Sequence, residues 1–189
     1  MFIEGRCRGS KAVIFNETNS FASTPIIKLN GRSFTIACWI KQTKWALNEL
    51  AAIYSDWYNP WQFLLSIKNQ RIGFNRHKEG SGEWWFVEST HVALDTWTHV
   101  AVTWDQLTRT VFIYADGKKV GHGSYTHGAT FFEPTGSPYQ IGNDGHTENH
   151  QFHGSVMDLY VFGTALSVDE INKLRGELYV IKYYPSINV

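Results

Sequence analysis

Between Thr98 and Trp104 the chain alternates, with Val100, Val102 and Trp104 on one side and His99, Ala101 and Thr103 on the other. A period of two is that of a β-strand with one face in a core. A polar turn follows from Asp105 to Arg109, and then a run from Thr110 to Ala115 that is apolar on both faces. A strand without a polar face belongs inside a sheet. It ends at Asp116-Gly117, a pair that accepts the positive φ of a tight primed hairpin turn. The pattern predicts strand, turn, strand, Asp-Gly hairpin, strand, with the rest of the chain arranged around this unit.

The remaining segments read mostly as strands. Lys11–Phe15 is short and leads into a polar turn, Asn16-Glu17-Thr18-Asn19-Ser20, with a return strand after it. Asn30-Gly31 is a turn, and Phe34–Lys41 and Leu50–Ser55 are strands. Asn59 and Pro60 make the next stretch a loop. Gln62–Ile67 and Arg71–Phe74 form a hairpin about Lys68-Asn69-Gln70, and Trp84–Ser89 follows a Gly/Ser-rich loop. Gly121–Ser137 is glycine-rich and reads as irregular. Tyr139–Gly142 and Phe152–Phe162 are strands on either side of a polar loop, Asn143–His150. One helix is predicted, within Ala165–Leu174. Ser167 and Glu170 have the spacing of a capping box, Ile171 and Leu174 form an apolar edge, and Gly176 is a stop signal. These elements, together with aromatic content of 15 % and eight Trp, predict an all-β sandwich.

At 189 residues the chain suits one domain that buries roughly 70 % of its unfolded surface, so folding requires no disulfide or metal. Seventeen basic and seventeen acidic residues give zero formal charge, against the basic field that nucleic acid or an acidic membrane surface would demand. No apolar run is long enough to span a bilayer. Met1 is not followed by a signal-peptide pattern, which leaves either a cytosolic protein or a module of a longer secreted one. Cys38 is in phase with Phe34, Ile36 and Ile40. It reads as a buried strand thiol, with a bond to Cys7 as the alternative. No Cys-x-x-Cys spacing marks a metal or redox site.

Several motifs in order resemble the laminin-G-like (concanavalin A-like) jelly-roll domains. They are Phe34-Thr35-Ile36-Ala37-Cys38-Trp39-Ile40, Trp97-Thr98-His99-Val100-Ala101 followed by Tyr114-Ala115-Asp116-Gly117, the closing strand Phe152–Phe162 with Asp158, and Ala165-Leu166-Ser167 leading to Glu170-Ile171 and Leu174. The opening turn departs from the family, with Asn16-Glu17 in place of Asp-Gly. The resemblance covers about Lys11 to Gly176. It implies a two-sheet antiparallel jelly-roll sandwich with one short C-terminal helix over residues 1–176. Residues 177–189 would be a tail, an added strand or a linker. It further implies a non-catalytic recognition module of a larger extracellular protein, with glycan or an extracellular protein as partner.

Residues that would carry such a function fall into two groups. Trp57, Tyr58 and Trp61 crowd one loop, Trp45 precedes it, and Trp84 and Trp85 are adjacent in a later strand. Exposed rings stack on the C–H faces of sugars, whereas the same rings in a core only fill space. Asn143, Asp144 and Glu148 lie in one loop ahead of Asp158. Calcium takes oxygens of this kind, many domains of the family hold it at a rim, and solvated loop residues are the alternative. His146, His150 and His153 would suit a transition metal only if they met in space. Asn16-Glu17-Thr18 is an N-glycosylation sequon.

Catalysis finds little support. Glycoside hydrolases of this fold need two carboxylates roughly 5–9 Å apart. Alternate residues of one strand stand ~7 Å apart on one face, yet no Glu-x-Asp pair occurs in a predicted strand. Glu83 and Glu88 are five apart and fall on opposite faces. Neither a nucleophile elbow nor a His-Glu-x-x-His motif is present.

Overall fold

A computed structural model of the chain describes residues 1–17, 19–29, 31–46, 50–55, 63–77, 84–125, 138–145 and 150–176. The described strands are β1 (Phe2–Glu4), β2 (Lys11–Phe15), β3 (Ala22–Thr24), β4 (Phe34–Lys44), β5 (Leu50–Ser55), β6 (Phe63–Lys68), β7 (Arg71–His77), β8 (Trp84–His91), β9 (Thr98–Asp105), β10 (Thr110–Ala115), β11 (Lys118–Ser124), β12 (Tyr139–Ile141) and β13 (His153–Phe162). One helix, α1 (Val168–Gly176), follows. The strands form two antiparallel sheets, a seven-stranded sheet A in the order β1-β2-β13-β4-β9-β10-β11 and a six-stranded sheet B in the order β3-β12-β5-β6-β7-β8. This is the expected two-sheet jelly-roll sandwich.

The inward positions of both sheets meet in one core. Phe34, Ile36, Cys38 and Ile40 of β4 and Val100, Val102 and Trp104 of β9 face Ile53, Phe63, Leu65, Ile72 and Phe74 from sheet B. Cys38 is a free thiol, and burial pushes its pKa up to about 12. Cys7 is also free, so the pairing left open by the sequence is not made.

Three features go beyond what periodicity predicts. β9 is buried on both faces, because the outer side of sheet A is covered too. Ile171 of α1 packs on Ala37, Ala101 and Tyr114, and Trp39 packs with Ala12 and Met157 further along. β10 has strands on both sides, as its two apolar faces require, but lies one place from the sheet edge. Gly121 to Ser124, which read as irregular, continue β11 by pairing with β10. Glycine weakens a strand by entropy, but the ladder with β10 outweighs that here.

The hairpin and the helix form as their sequences require. Asp116 and Gly117 have φ of 49° and 77°, the left-handed pair of a primed turn. Ser167 and Glu170 cap the helix reciprocally, with the Ser167 amide donating to Glu170 Oε2 at 2.8 Å and the Glu170 amide to Ser167 Oγ at 3.3 Å. The C-terminal end of α1 then grips the hairpin, since Arg175 Nη1 donates to the Asp116 carbonyl at 2.9 Å.

His99 lies under this cover, 1 % exposed and edge-on to Trp39 at 5.2 Å. Burial lowers its pKa to about 4, against the opposing pull of Asp116 and with Arg175 and Arg6 adding to the depression. The unfolded chain therefore binds a proton that the folded chain refuses. Stability is full above the ordinary His value of 6.5 and falls as pH drops toward 4, by on the order of 3 kcal/mol in all. Urea melts at pH 7 and pH 5 are expected to show about 2 kcal/mol of this loss, and a His99→Gln chain a shallower one.

Gly154 sits where β13 approaches β4 closely. A Cβ there would stand 2.2 Å from the Lys41 carbonyl oxygen, whereas one at Gly9 would meet nothing within 4 Å. Both have positive φ, so Gly9→Ala measures the conformational strain alone. We expect about 1 kcal/mol lost for Gly9→Ala and about 3 kcal/mol or more for Gly154→Ala, compared by thermal or urea unfolding.

Candidate functional site

Antiparallel register sorts the connections of the sandwich onto two rims. Ile141 pairs with both Ala22 and Tyr54, and Gln140 with Ser55. Phe63 pairs with Arg76, and His77 with Trp84. The C-terminal ends of β5 and β7 and the N-terminal ends of β6, β8 and β12 therefore share one rim, here the far rim. The strands that flank the stretch holding Trp57, Tyr58 and Trp61 end at this rim, and β8, which Trp84 and Trp85 open, begins there. Residues 56–62 and the side chains of Trp84 and Trp85 lie outside the described residues. The opposite rim carries the Asp116-Gly117 hairpin together with the connections after β2, β4, β8 and β12.

Trp45 follows β4 and belongs to the hairpin rim, half-buried against the main core. Strand β5 spans the sandwich between the two rims, ~20 Å for its six residues. The register thus puts Trp45 at the rim opposite the strand ends that flank the other five aromatic candidates.

The far rim stands on a floor of buried aromatic rings. Phe63 packs with Phe34 at 6.3 Å, Tyr54 at 5.5 Å, Phe74 at 6.2 Å and Tyr139 at 5.6 Å. The polar tips of the two tyrosines are engaged. Tyr54 shares a 2.9 Å hydrogen bond with Thr24 Oγ1, and the Tyr139 hydroxyl donates to the Ile27 carbonyl. Arg76, next to last in β7, is 1 % exposed, with its guanidinium 4.9 Å from the Trp104 ring and 5.3 Å from the Phe34 ring. Sequence reasoning missed this residue. Its one signal was phase, since Ile72, Phe74 and Arg76 alternate on the inward face of a strand.

The oxygen-bearing candidates do not gather. Asn143 and Asp144 adjoin one another on the hairpin rim, 4 % and 1 % exposed. The Gly145 amide donates to Asn143 Oδ1 at 2.8 Å, and Asp144 Oδ2 meets His150 Nδ1 at 2.6 Å. Gln151 Nε2 donates to the Ser20 and Gly142 carbonyls, tying the β2–β3 and β12–β13 connections together. Glu148 lies outside the described residues. Asp158 sits in a bulge of β13, where the ladder slips between Met157 and Tyr160, exposed and with a φ of 51°. Crowding by the protein raises its pKa, partly offset by the nearby Arg6. Among the described residues, no three Asp, Glu, His or Cys side chains come together as an ion site would need. Asn143 and Asp144 are thus engaged by hydrogen bonds within their own turn. His146 lies outside the described residues, and His153 has a pKa lowered by burial and by Lys44.

With the sheets, rims and capped helix in view, residues 16–172 match the model of the concanavalin A-like lectin/glucanases superfamily. The chain belongs to that superfamily. Among curated proteins, this superfamily member is 23 % identical over 160 residues to pentraxin-related protein PTX3 of Mus musculus, covering 80 % of this chain and 41 % of the other. It thus spans about two-fifths of that relative's length. Among solved structures it superposes on the binding domain of Paraclostridial Mosquitocidal Protein 1 with a TM-score of 0.74 and 18 % identity, covering 93 % of this chain and 45 % of that one. It also superposes on the Ruminococcus gnavus IT-sialidase CBM40, solved with α2,3 sialyllactose, with a TM-score of 0.62 and 17 % identity, covering 85 % of this chain and 100 % of that one. At such identities the structural likeness is one of fold. No described helix is long and apolar enough to cross a membrane.

Arg76 offers a direct test of the floor. Arg76→Lys keeps the charge but loses the planar group that stacks on Phe34 and Trp104. We expect Arg76→Lys and Arg76→Met each to lower unfolding free energy by about 2 kcal/mol, read by chemical denaturation with Trp fluorescence.

Proposed function

We propose that this chain is a non-catalytic recognition module of a larger extracellular protein, binding glycan through the far rim. The observation that carries the reading is the register. Trp57, Tyr58, Trp61, Trp84 and Trp85 come from two separate stretches of sequence, yet the strands flanking them end at one rim over a buried aromatic floor. A binding surface for sugar rings needs several rigidly supported aromatic platforms close together. The kinship supports the same reading, since one structural neighbour is a carbohydrate-binding module solved with a sialylated sugar, another a toxin's binding domain, and the curated relative a pentraxin-related protein. Function follows from the site rather than from the fold, so the rim residues bear the test.

Glycan-array binding followed by titration calorimetry provides it. Trp57→Ala and Trp61→Ala are each expected to weaken binding tenfold or more, as removal of a central aromatic anchor does. Trp45→Ala, on the opposite rim, is expected to leave affinity within about twofold, a difference of under 0.5 kcal/mol. Binding is expected to survive chelation by EDTA. Loss on chelation would bring calcium, with Asn143, Asp144, Glu148 and Asp158 as ligands, back into the site. Binding to a purified protein without sugar would replace the glycan reading with a protein-adhesion one, and turnover of a glycan would replace it with a hydrolase.

A further inference from the structure

We propose that Asn16 is a site of N-linked glycosylation, and that the sugar stands on the rim opposite the proposed binding rim. The inference rests on the secreted placement proposed above, but not on the identity of the ligand. Asn16-Glu17-Thr18 is the sole Asn-x-Ser/Thr triplet in the sequence whose middle residue is not proline.

The structure supplies what the triplet alone lacks. Asn16 is exposed and follows Phe15, the last residue of β2. The segment from Asn16 to Phe21 lies between β2 and β3. Its local bonds are those of a polar turn, with Ser20 N and Oγ both donating to the Glu17 carbonyl, at 3.2 Å and 2.7 Å. A branched sugar on such a residue projects into water and displaces no packed group. Had Asn16 been a ladder or core position, the same triplet would have been inert or would have blocked folding.

Position gives the sugar two consequences. Phe15 pairs with Gly154 at the N-terminal end of β13, which puts Asn16 on the hairpin rim. A glycan there leaves the far rim clear. Five residues on, Phe21 is 52 % exposed beside β3, an edge strand of sheet B. A bulky hydrophilic group next to an open edge and an exposed aromatic ring opposes edge-to-edge association.

The chemistry is transfer from a lipid-pyrophosphate-linked oligosaccharide. Asn16 Nδ2 attacks the anomeric carbon of the first sugar, the N–C bond forms, and the C–O bond to the pyrophosphate breaks. The lipid pyrophosphate leaves with the electron pair, and the proton lost from Nδ2 goes to the transferase's base.

The test is secretion of the whole chain from a eukaryotic cell line behind a heterologous signal peptide, with mass analysis before and after peptide-N-glycosidase. Expected results are a glycan on most secreted chains, conversion of Asn16 to Asp on enzymatic release, and loss of the glycan in both N16Q and T18A. Thr18→Ser is expected to retain it. Folded, secreted chain carrying an unmodified Asn16 peptide would overturn the proposal. Circular dichroism of N16Q separates absence of sugar from failure to fold. Glycan-array binding by the enzymatically deglycosylated chain is expected to be unchanged, so the binding reading and this one fail independently. Deglycosylated chain is also expected to aggregate faster at high concentration, followed by light scattering.

Discussion

The structure depends on a constraint at the middle of sheet A. Strands β4 and β9 carry apolar residues on both faces, and an apolar face left in water costs about 25 cal/mol for each Å². The inner face is met by sheet B. The outer face needs its own cover, and the chain supplies it from two directions, with α1 lying over Ala37, Ala101 and Tyr114 and Trp39 packing with Ala12 and Met157. The short helix after the last strand is therefore part of the core. Its capping box starts it, and its contact with the Asp116-Gly117 hairpin aligns it. Thr35 binds the approach to the helix as well, donating to the Thr164 carbonyl and accepting from the Leu166 amide.

Covering both faces of sheet A takes the middle of that sheet out of reach of a partner. The two rims are built differently. The hairpin rim is closed by polar bonds, in which Asn143, Asp144, His150 and Gln151 brace the β12–β13 connection and Gln151 ties it to the β2–β3 connection. The side chains of Asn143, Asp144 and Gln151 are thereby committed to protein partners. The far rim rests on Phe34, Tyr54, Phe63, Phe74, Trp104 and Tyr139, with the Arg76 guanidinium set among the rings. A floor of this kind is stiff, because packed aromatic rings have few alternative rotamers. Rigid support beneath mobile partners' contacts is what a recognition surface needs, since each side chain immobilised on binding costs affinity.

The bulge at Asp158 shows how the fold treats a residue that motif logic marks as functional. In the resembling domains an acid stands at this point of the closing strand. Here it occupies a left-handed position that Asp tolerates better than most residues, and the ladder slips around it. A conformational reason suffices for an Asp there. His99, the other motif residue, has its place set by burial against Trp39 beneath the helix.

Much of this protein was legible in its residues. The period of two in Thr98–Asp105, the Asp-Gly turn and the Ser167–Glu170 cap depend on interactions within a few positions along the chain, so local pattern determines them. Leu50–Ser55 and Lys11–Phe15 begin and end where their patterns do. The second half of β11, Gly121–Ser124, was lost among glycines because its stability comes from the partner strand β10, which no local pattern records. Arg76 passed unnoticed because only the opposing sheet brings Phe34 and Trp104 against it. The division of the aromatic candidates followed the same rule. Trp45 and Trp57 are twelve residues apart in sequence, yet β5 crosses the sandwich between them and ends at the rim opposite Trp45. Local propensity settles most of the elements, whereas pairing with β10 extends β11 and the register between strands distant in sequence decides which residues share a surface.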